Sequence, residues 1–135
     1  LCWPRFDSDA CFAALLGNEQ HGHWTLAPVD PFESARKYRP DTLVLETEFT
    51  TANGHVWLLD FMPVSTEEGM IVRMLTCDRG NIKFRHCFRP AFGNGKIEPQ
   101  WTRERGRLIA RAGVDELRLA CSQEDYLAPE THMEL

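Results

Sequence analysis

From Thr42 onward the chain alternates. "TLVLETEF" sets Leu43, Leu45, Thr47 and Phe49 on one side and Val44, Glu46 and Glu48 on the other. After "TANG", "HVWLLDFMP" alternates again, with Val56, Leu58, Asp60 and Met62 opposed to Trp57, Leu59 and Phe61. Successive side chains of a strand point to opposite faces, so a core on one side and water on the other gives this pattern. Asn53-Gly54 predicts a hairpin, because both residues tolerate positive φ. Pro63 ends the second strand, having no N–H for the ladder.

The pattern recurs downstream. "MIVRMLTC" and "IKFRHCF" flank "DRGN", which predicts a second hairpin with Ile82, Phe84, His86 and Phe88 on one face and Lys83, Arg85 and Arg89 on the other. "FGNGK" predicts a loop. "QWTRER", "RLIARA" and "ELRLACS" predict three shorter strands, turning at Gly106 and at "GVD". Near the start, Ser8 can cap a helix through "DACFAALL" that ends at Gly17, with Asp7 and Asp9 where its dipole favours acids. Some seven antiparallel strands with regular turn signals predict an all-β fold, an antiparallel β-sandwich with one short helix near the N-terminus. "QEDYLAPETHMEL" loses the alternation and fits a linker, a disordered end or a cut strand.

Composition narrows the function classes. The chain has 135 residues, enough for one domain with a core of its own. The net charge of −5 and the scattered basic residues argue against nucleic acid. Arg103, Arg105, Arg107 and Arg111 are interrupted by Glu104 and fit the solvated face of a strand pair. No apolar run has the length of a membrane span, so no membrane partner is expected. The five cysteines are odd in number and none forms a C-x-x-C pair. Buried, reduced thiols in a reducing, cytoplasmic compartment are the expectation.

Candidate chemistry is sparse. His21 and His23 in "HGHW" would share a side if both lay on a strand, but no third ligand is evident, and no metal or other cofactor is expected. Glu46 and Glu48 have the spacing of solvated side chains. Asp60 among apolar neighbours fits a carboxylate bonded to the amides of a turn. No nucleophile motif and no phosphate-cradling loop occur, so no catalytic residue is assigned. Arg5 and Asp7 differ: Pro4 stiffens their loop and Trp3 and Phe6 flank it. They can pair with each other and fix the loop, or bond sugar hydroxyls while aromatic faces stack on sugar rings.

"WPRFDSDACFAALLG", then "GHWTLAP", "YRPDTLVLETEFTTANGHVWLLDFMPV" and "IVRMLTCDRGNIKFR", resembles the N-terminal domain of bacterial trehalase-like and glucoamylase-like proteins of glycoside hydrolase family 15. The resemblance runs from about Leu1 to Cys121. It implies a large curved β-sandwich, a supersandwich, over residues 1–122, cut short at both ends relative to the family, with 123–135 a tail or cut strand. It implies a parent enzyme that is an inverting glycosidase. Its general acid and base belong to a C-terminal α/α-toroid to which nothing here corresponds. The implied function is therefore a non-catalytic accessory domain that packs on and supports the toroid, with Arg5 and Asp7 near the toroid's substrate. The alternative is a carbohydrate-binding module holding α-glucan or trehalose through exposed aromatics such as Trp24, Trp57 and Trp101.

Overall fold

The computed structural model describes residues 1–64 and 69–135. Its strands are β1 (His23–Pro28), β2 (Phe32–Tyr38), β3 (Leu45–Thr51), β4 (Gly54–Phe61), β5 (Val72–Gly80), β6 (Lys83–Arg89), β7 (Gln100–Glu104), β8 (Arg107–Ala112), β9 (Asp115–Leu119) and β10 (Glu130–Glu134). They form three sheets, ordered β1-β6-β10, β2-β3-β4-β5 and β7-β8-β9. The fold is all-β and antiparallel, of the sandwich class that the alternation predicts. The chain divides into two compact units: Leu1–Leu26 with Arg85–His132, and Ala27–Phe84 with Met133–Leu135.

The second unit is built on the β2–β5 meander. Cross-strand pairs make its inner face: Phe49 opposes Val56, and Thr47 opposes Leu58. All four are buried, and Phe84 of β6 meets the Phe49 ring edge-on at 5.6 Å. Ile82, Phe84, Val56 and Leu58 lose nearly all contact with water, which is the main stabilising force here.

The first hairpin forms where the sequence predicts it, with a different turn. Thr51 pairs with Gly54, so Ala52 and Asn53 make the loop, and none of these residues has positive φ. The Thr51 hydroxyl accepts the N–H groups of Asn53 and Gly54, each at 3.1 Å. Glycine is needed at 54 for another reason: a Cβ there would lie 2.3 Å from the Arg79 carbonyl oxygen.

The second predicted hairpin does not form. "DRG" continues β5, which stays paired to β4 as far as Gly80 opposite Gly54. The chain then leaves for β6, whose neighbours are β1 and β10. The β4 ladder already holds the backbone of "DRG", so those residues cannot also turn back on β6. Gly80 has φ of +85°, and a Cβ there would lie 1.9 Å from the Asn53 oxygen. The face prediction for β6 holds, with Phe84, His86 and Phe88 buried and Lys83, Arg85 and Arg89 exposed. Residues Glu130–Glu134, where the sequence shows no alternation, form a strand beside β6.

In the first unit, β7, β8 and β9 form the meander predicted for them. Leu108 faces Leu119 and Ala110 faces Leu117. These four join Cys11, Phe88, Phe92 and Leu127 in one apolar cluster, with Trp3, Phe12 and Trp24 packed against it. The predicted short helix is reduced to a single 3₁₀ turn, Ala14–Leu16. Its backbone is engaged elsewhere: Ala10 bridges to Cys2, Cys11 N–H donates to the Leu1 oxygen at 3.0 Å, and Ala13 N–H donates to the His21 oxygen at 2.9 Å. Ala91 N–H donates to the Cys11 oxygen at 2.9 Å. A short helix is costly to nucleate, and these long-range bonds replace it. Ser8 closes a local turn instead of capping, its hydroxyl accepting Arg5 N–H at 3.3 Å, and Gly17 has an extended φ rather than the left-handed one of a helix cap.

Candidate functional site

The N-terminal loop is the first candidate. The Trp3–Pro4 peptide is cis, and Trp3 packs on the core cluster. Ser8 N–H donates to the Arg5 oxygen at 3.2 Å, so residues 5–8 form a closed turn. Arg5 and Asp7 meet there as a fork on a fork: Nε to Oδ1 and Nη2 to Oδ2, both 2.9 Å. The pair stands in water, with side chains 71% and 51% exposed. Phe6 between them is 91% exposed, and Leu15 and Leu16 of the 3₁₀ turn are 98% and 90% exposed. Asp9 anchors the base of the segment by accepting Asn94 Nδ2 at 3.0 Å. The loop thus presents a planar array of donors and acceptors beside a bare ring. That chemistry suits a hydroxyl-bearing ligand or a polar-rimmed apolar surface.

The other carboxylates are committed to structure. Glu46 is not solvated: it is buried between Arg39 (3.0 Å) and Lys37 (3.3 Å). Those partners, Arg39 foremost, hold its pKa below the usual carboxylate value, which unfits it as a general acid. Glu48 bonds His55 Nε2 at 2.5 Å, and Asp78 bonds His55 Nδ1 at 2.7 Å. A bulge in the β4–β5 ladder at His55/Val56 sets Asp78 there. His55 also lies edge-on to Trp57 at 5.0 Å. Hydrogen bonds from Asp78 and then Glu48 raise the His55 pKa, and His55 lowers that of Asp78. This carboxylate–imidazole–carboxylate cluster was not anticipated from the sequence, although the hairpin register places 48, 55 and 57 on one face. Asp60 bonds a side chain and not turn amides: Arg73, its cross-strand neighbour, donates from Nε at 2.8 Å and from Nη2 at 3.2 Å.

The two histidines of "HGHW" lie in different elements. His21 closes a 3₁₀ turn with Asn18, while His23 opens β1. His23 Nδ1 is 3.0 Å from the Glu19 oxygen and its Nε2 is 3.2 Å from Cys87 Sγ. Burial pushes the Cys11 thiol up to about 11 and raises that of Cys87, the opposite of what a nucleophilic thiolate needs. All five cysteines are free thiols. Among the described residues, no cluster of three His, Cys, Asp or Glu side chains could hold a metal ion, and no helix is long and apolar enough to cross a membrane. Of the tryptophans proposed as a sugar platform, Trp24 packs on the core and donates to His86 at 3.0 Å. Trp57 is half-buried, with the Lys37 ammonium 5.8 Å from its ring centre. Trp101, on β7, is exposed.

The fold defines an antiparallel all-β domain that displays an Arg–Asp pair and bare apolar side chains on one loop. The particular family follows from comparison. The profile of the trehalase-like N-terminal domain matches residues 1–122, and the chain belongs to that family. It is 28% identical to a trehalase of Mycobacterium tuberculosis over 85% of this chain and 20% of that protein. It is 33% identical to trehalase 1 of Sulfolobus acidocaldarius over 73% of this chain and 17% of that protein. The chain spans about a fifth of the length of these curated relatives. No solved structure matches it significantly.

Proposed function

We propose that this chain is a non-catalytic accessory domain of a trehalase- or glucoamylase-like hydrolase of glycoside hydrolase family 15, packing on and supporting a C-terminal α/α-toroid. One observation carries the reading. Phe6, Leu15 and Leu16 stand almost fully exposed in the segment that holds the Arg5–Asp7 pair, on a domain that makes up a fifth of the trehalases it resembles. Exposed large apolar side chains of this kind fit a covered interface. In this reading Phe6, Leu15 and Leu16 meet the toroid. Arg5 and Asp7 lie at its sugar-binding mouth and shape substrate binding without cleaving the bond. The family domain would be residues 1–122, the span the family profile matches, with β10 pairing to β6 from beyond it. Five free thiols support a reducing, cytoplasmic setting.

The test uses the chain joined to its catalytic region. The chain alone should release no glucose from trehalose or maltooligosaccharides, and the joined protein should. Phe6→Ser with Leu16→Ser should lower the melting temperature of the joined protein while leaving that of the isolated chain unchanged. Equal effects on both would reject the interface.

A further inference from the structure

The β2–β5 sheet ends at β2, and all seven residues of that strand, Phe32–Tyr38, are exposed. Strand β2 pairs with β3 along its whole length. Among the described residues, its backbone makes no hydrogen bond beyond that ladder. An antiparallel ladder uses alternate residues, so the remaining N–H and C=O groups of β2 point away from β3. An edge of this length is a template for another strand. We propose that a second copy of this chain pairs antiparallel with β2 about a two-fold axis at Ala35, joining the two four-stranded sheets edge to edge.

The side chains specify the pairing. With Ala35 opposite its own copy, Glu33 faces Lys37, Ser34 faces Arg36 and Phe32 faces Tyr38, and the symmetry makes each of these pairs twice. Opposite charges directly across a ladder attract, and like charges repel. Centring one residue earlier would set Glu33 against Ala35, and centring one later would set Arg36 against its own copy. Glu33 and Arg36 make no ion pair among the described residues, so both are available. Lys37 lies 3.3 Å from Glu46, but Arg39 also holds Glu46, at 3.0 Å. Lys37 can therefore serve Glu33 of the second copy without stranding that carboxylate. Pro31 and Pro40 bound the strand and, lacking an N–H, keep the pairing to this span.

The aromatic pairs extend the core. Phe32 is 43% exposed and Tyr38 63%. The Phe32 ring meets Phe49 edge-on at 5.4 Å, which holds it in place. Tyr38 of the second copy would cover its open side. The opposite edge of the same sheet offers no such match. In β5, centred on Thr76, Arg73 would oppose Arg79 of a second copy, and a bulge interrupts the β4–β5 ladder. One pair of seven-residue strands makes a small interface of the transient kind, so the dimer should depend on concentration.

The experiment measures the mass of the 135-residue chain by sedimentation from about 1 µM to about 500 µM, across which it should pass from monomer to dimer. Glu33→Lys and Lys37→Glu, each alone, put like charges at both symmetric positions and should weaken dimerisation by about tenfold. Mixed in equal amounts, the two variants should form a heterodimer as tight as the unmodified dimer, because both pairs are again opposite in sign. Tyr38→Ser, at an exposed position, should weaken dimerisation by about threefold and carries the test if a charge variant fails to fold. A monomer at every concentration, a dimer that no variant weakens, or a mixture no tighter than the single variants would overturn the proposal. So would a chain that dimerises alone but stays monomeric when joined to its catalytic region, because a segment of the same protein would then hold the edge. None of these results depends on the Phe6 interface or on catalysis, so failure here and failure of the accessory reading are told apart.

Discussion

Two Arg–Asp pairs in this molecule have nearly the same geometry and different surroundings. In the β4–β5 ladder, Arg73 and Asp60 form a two-pronged pair whose side chains are only 16% and 23% exposed. In the N-terminal loop, Arg5 and Asp7 form the same fork at 2.9 Å, 71% and 51% exposed. The ladder pair joins residues already placed opposite each other by strand register, so little further ordering is required, and water screens it weakly. The loop pair must hold itself in place through a four-residue turn while water competes for every donor and acceptor. Bond lengths alone would rank them equally. Their surroundings make the first a stabilising tie and the second an ordered display of polar groups.

The same contrast separates the cores from the loop, and the largest effect lies there. Phe84→Ala should cost about 3–5 kcal/mol in urea unfolding, since it empties a fully buried site against Phe49. Phe6→Ala in the isolated chain should change stability by less than about 0.5 kcal/mol. A large cost at Phe6 would mean that the loop is part of the folded core.

Next come the ion pairs themselves. Asp60→Ala should cost about 1.5–3 kcal/mol, because it removes a two-pronged, charge-assisted bond to the half-buried Arg73, while Asp7→Ala should cost under about 1 kcal/mol. Double-mutant cycles with Arg73→Ala and Arg5→Ala would measure both couplings, and equal values would remove the distinction.

A smaller effect belongs to His55, and its sign can be worked out. Its folded pKa lies above the usual 6.5, through Asp78 first and Glu48 second. That stabilisation is fully present below 6.5 and fades as pH rises through the raised value. Asp78 is shifted below its usual 3.8, so its share is present above 3.8 and fades as pH falls through the lowered value. The melting temperature should therefore hold between these limits and drop on the alkaline side, and His55→Gln should flatten that drop. An unchanged profile in the variant would place the pH dependence elsewhere.

Strand content and the hairpins of β3–β4, β7–β8 and β8–β9 were legible because alternation and turn residues are local signals. The fate of "DRGN" was not, since whether β5 turns back or runs on depends on its partner β4, distant in the chain. The N-terminal segment has a helix's composition, yet its N–H groups go to the Leu1 and His21 oxygens and its Cys11 carbonyl accepts from Ala91, partners that no local pattern names. Glu46 and Glu48 looked solvated by alternation alone. Cross-strand neighbours, Lys37 opposite Glu46 above all, make that face a packed polar layer. The Arg5–Asp7 loop was legible as a polar pair between aromatics.

The most direct test of the accessory reading is steady-state kinetics of Arg5→Ala and Asp7→Ala in the chain joined to its catalytic region, with melting temperatures taken on the same samples. The account predicts a higher KM or a lower kcat for sugar hydrolysis at an unchanged melting temperature. A fall in melting temperature with unchanged kinetics would contradict it and make the pair a structural tie.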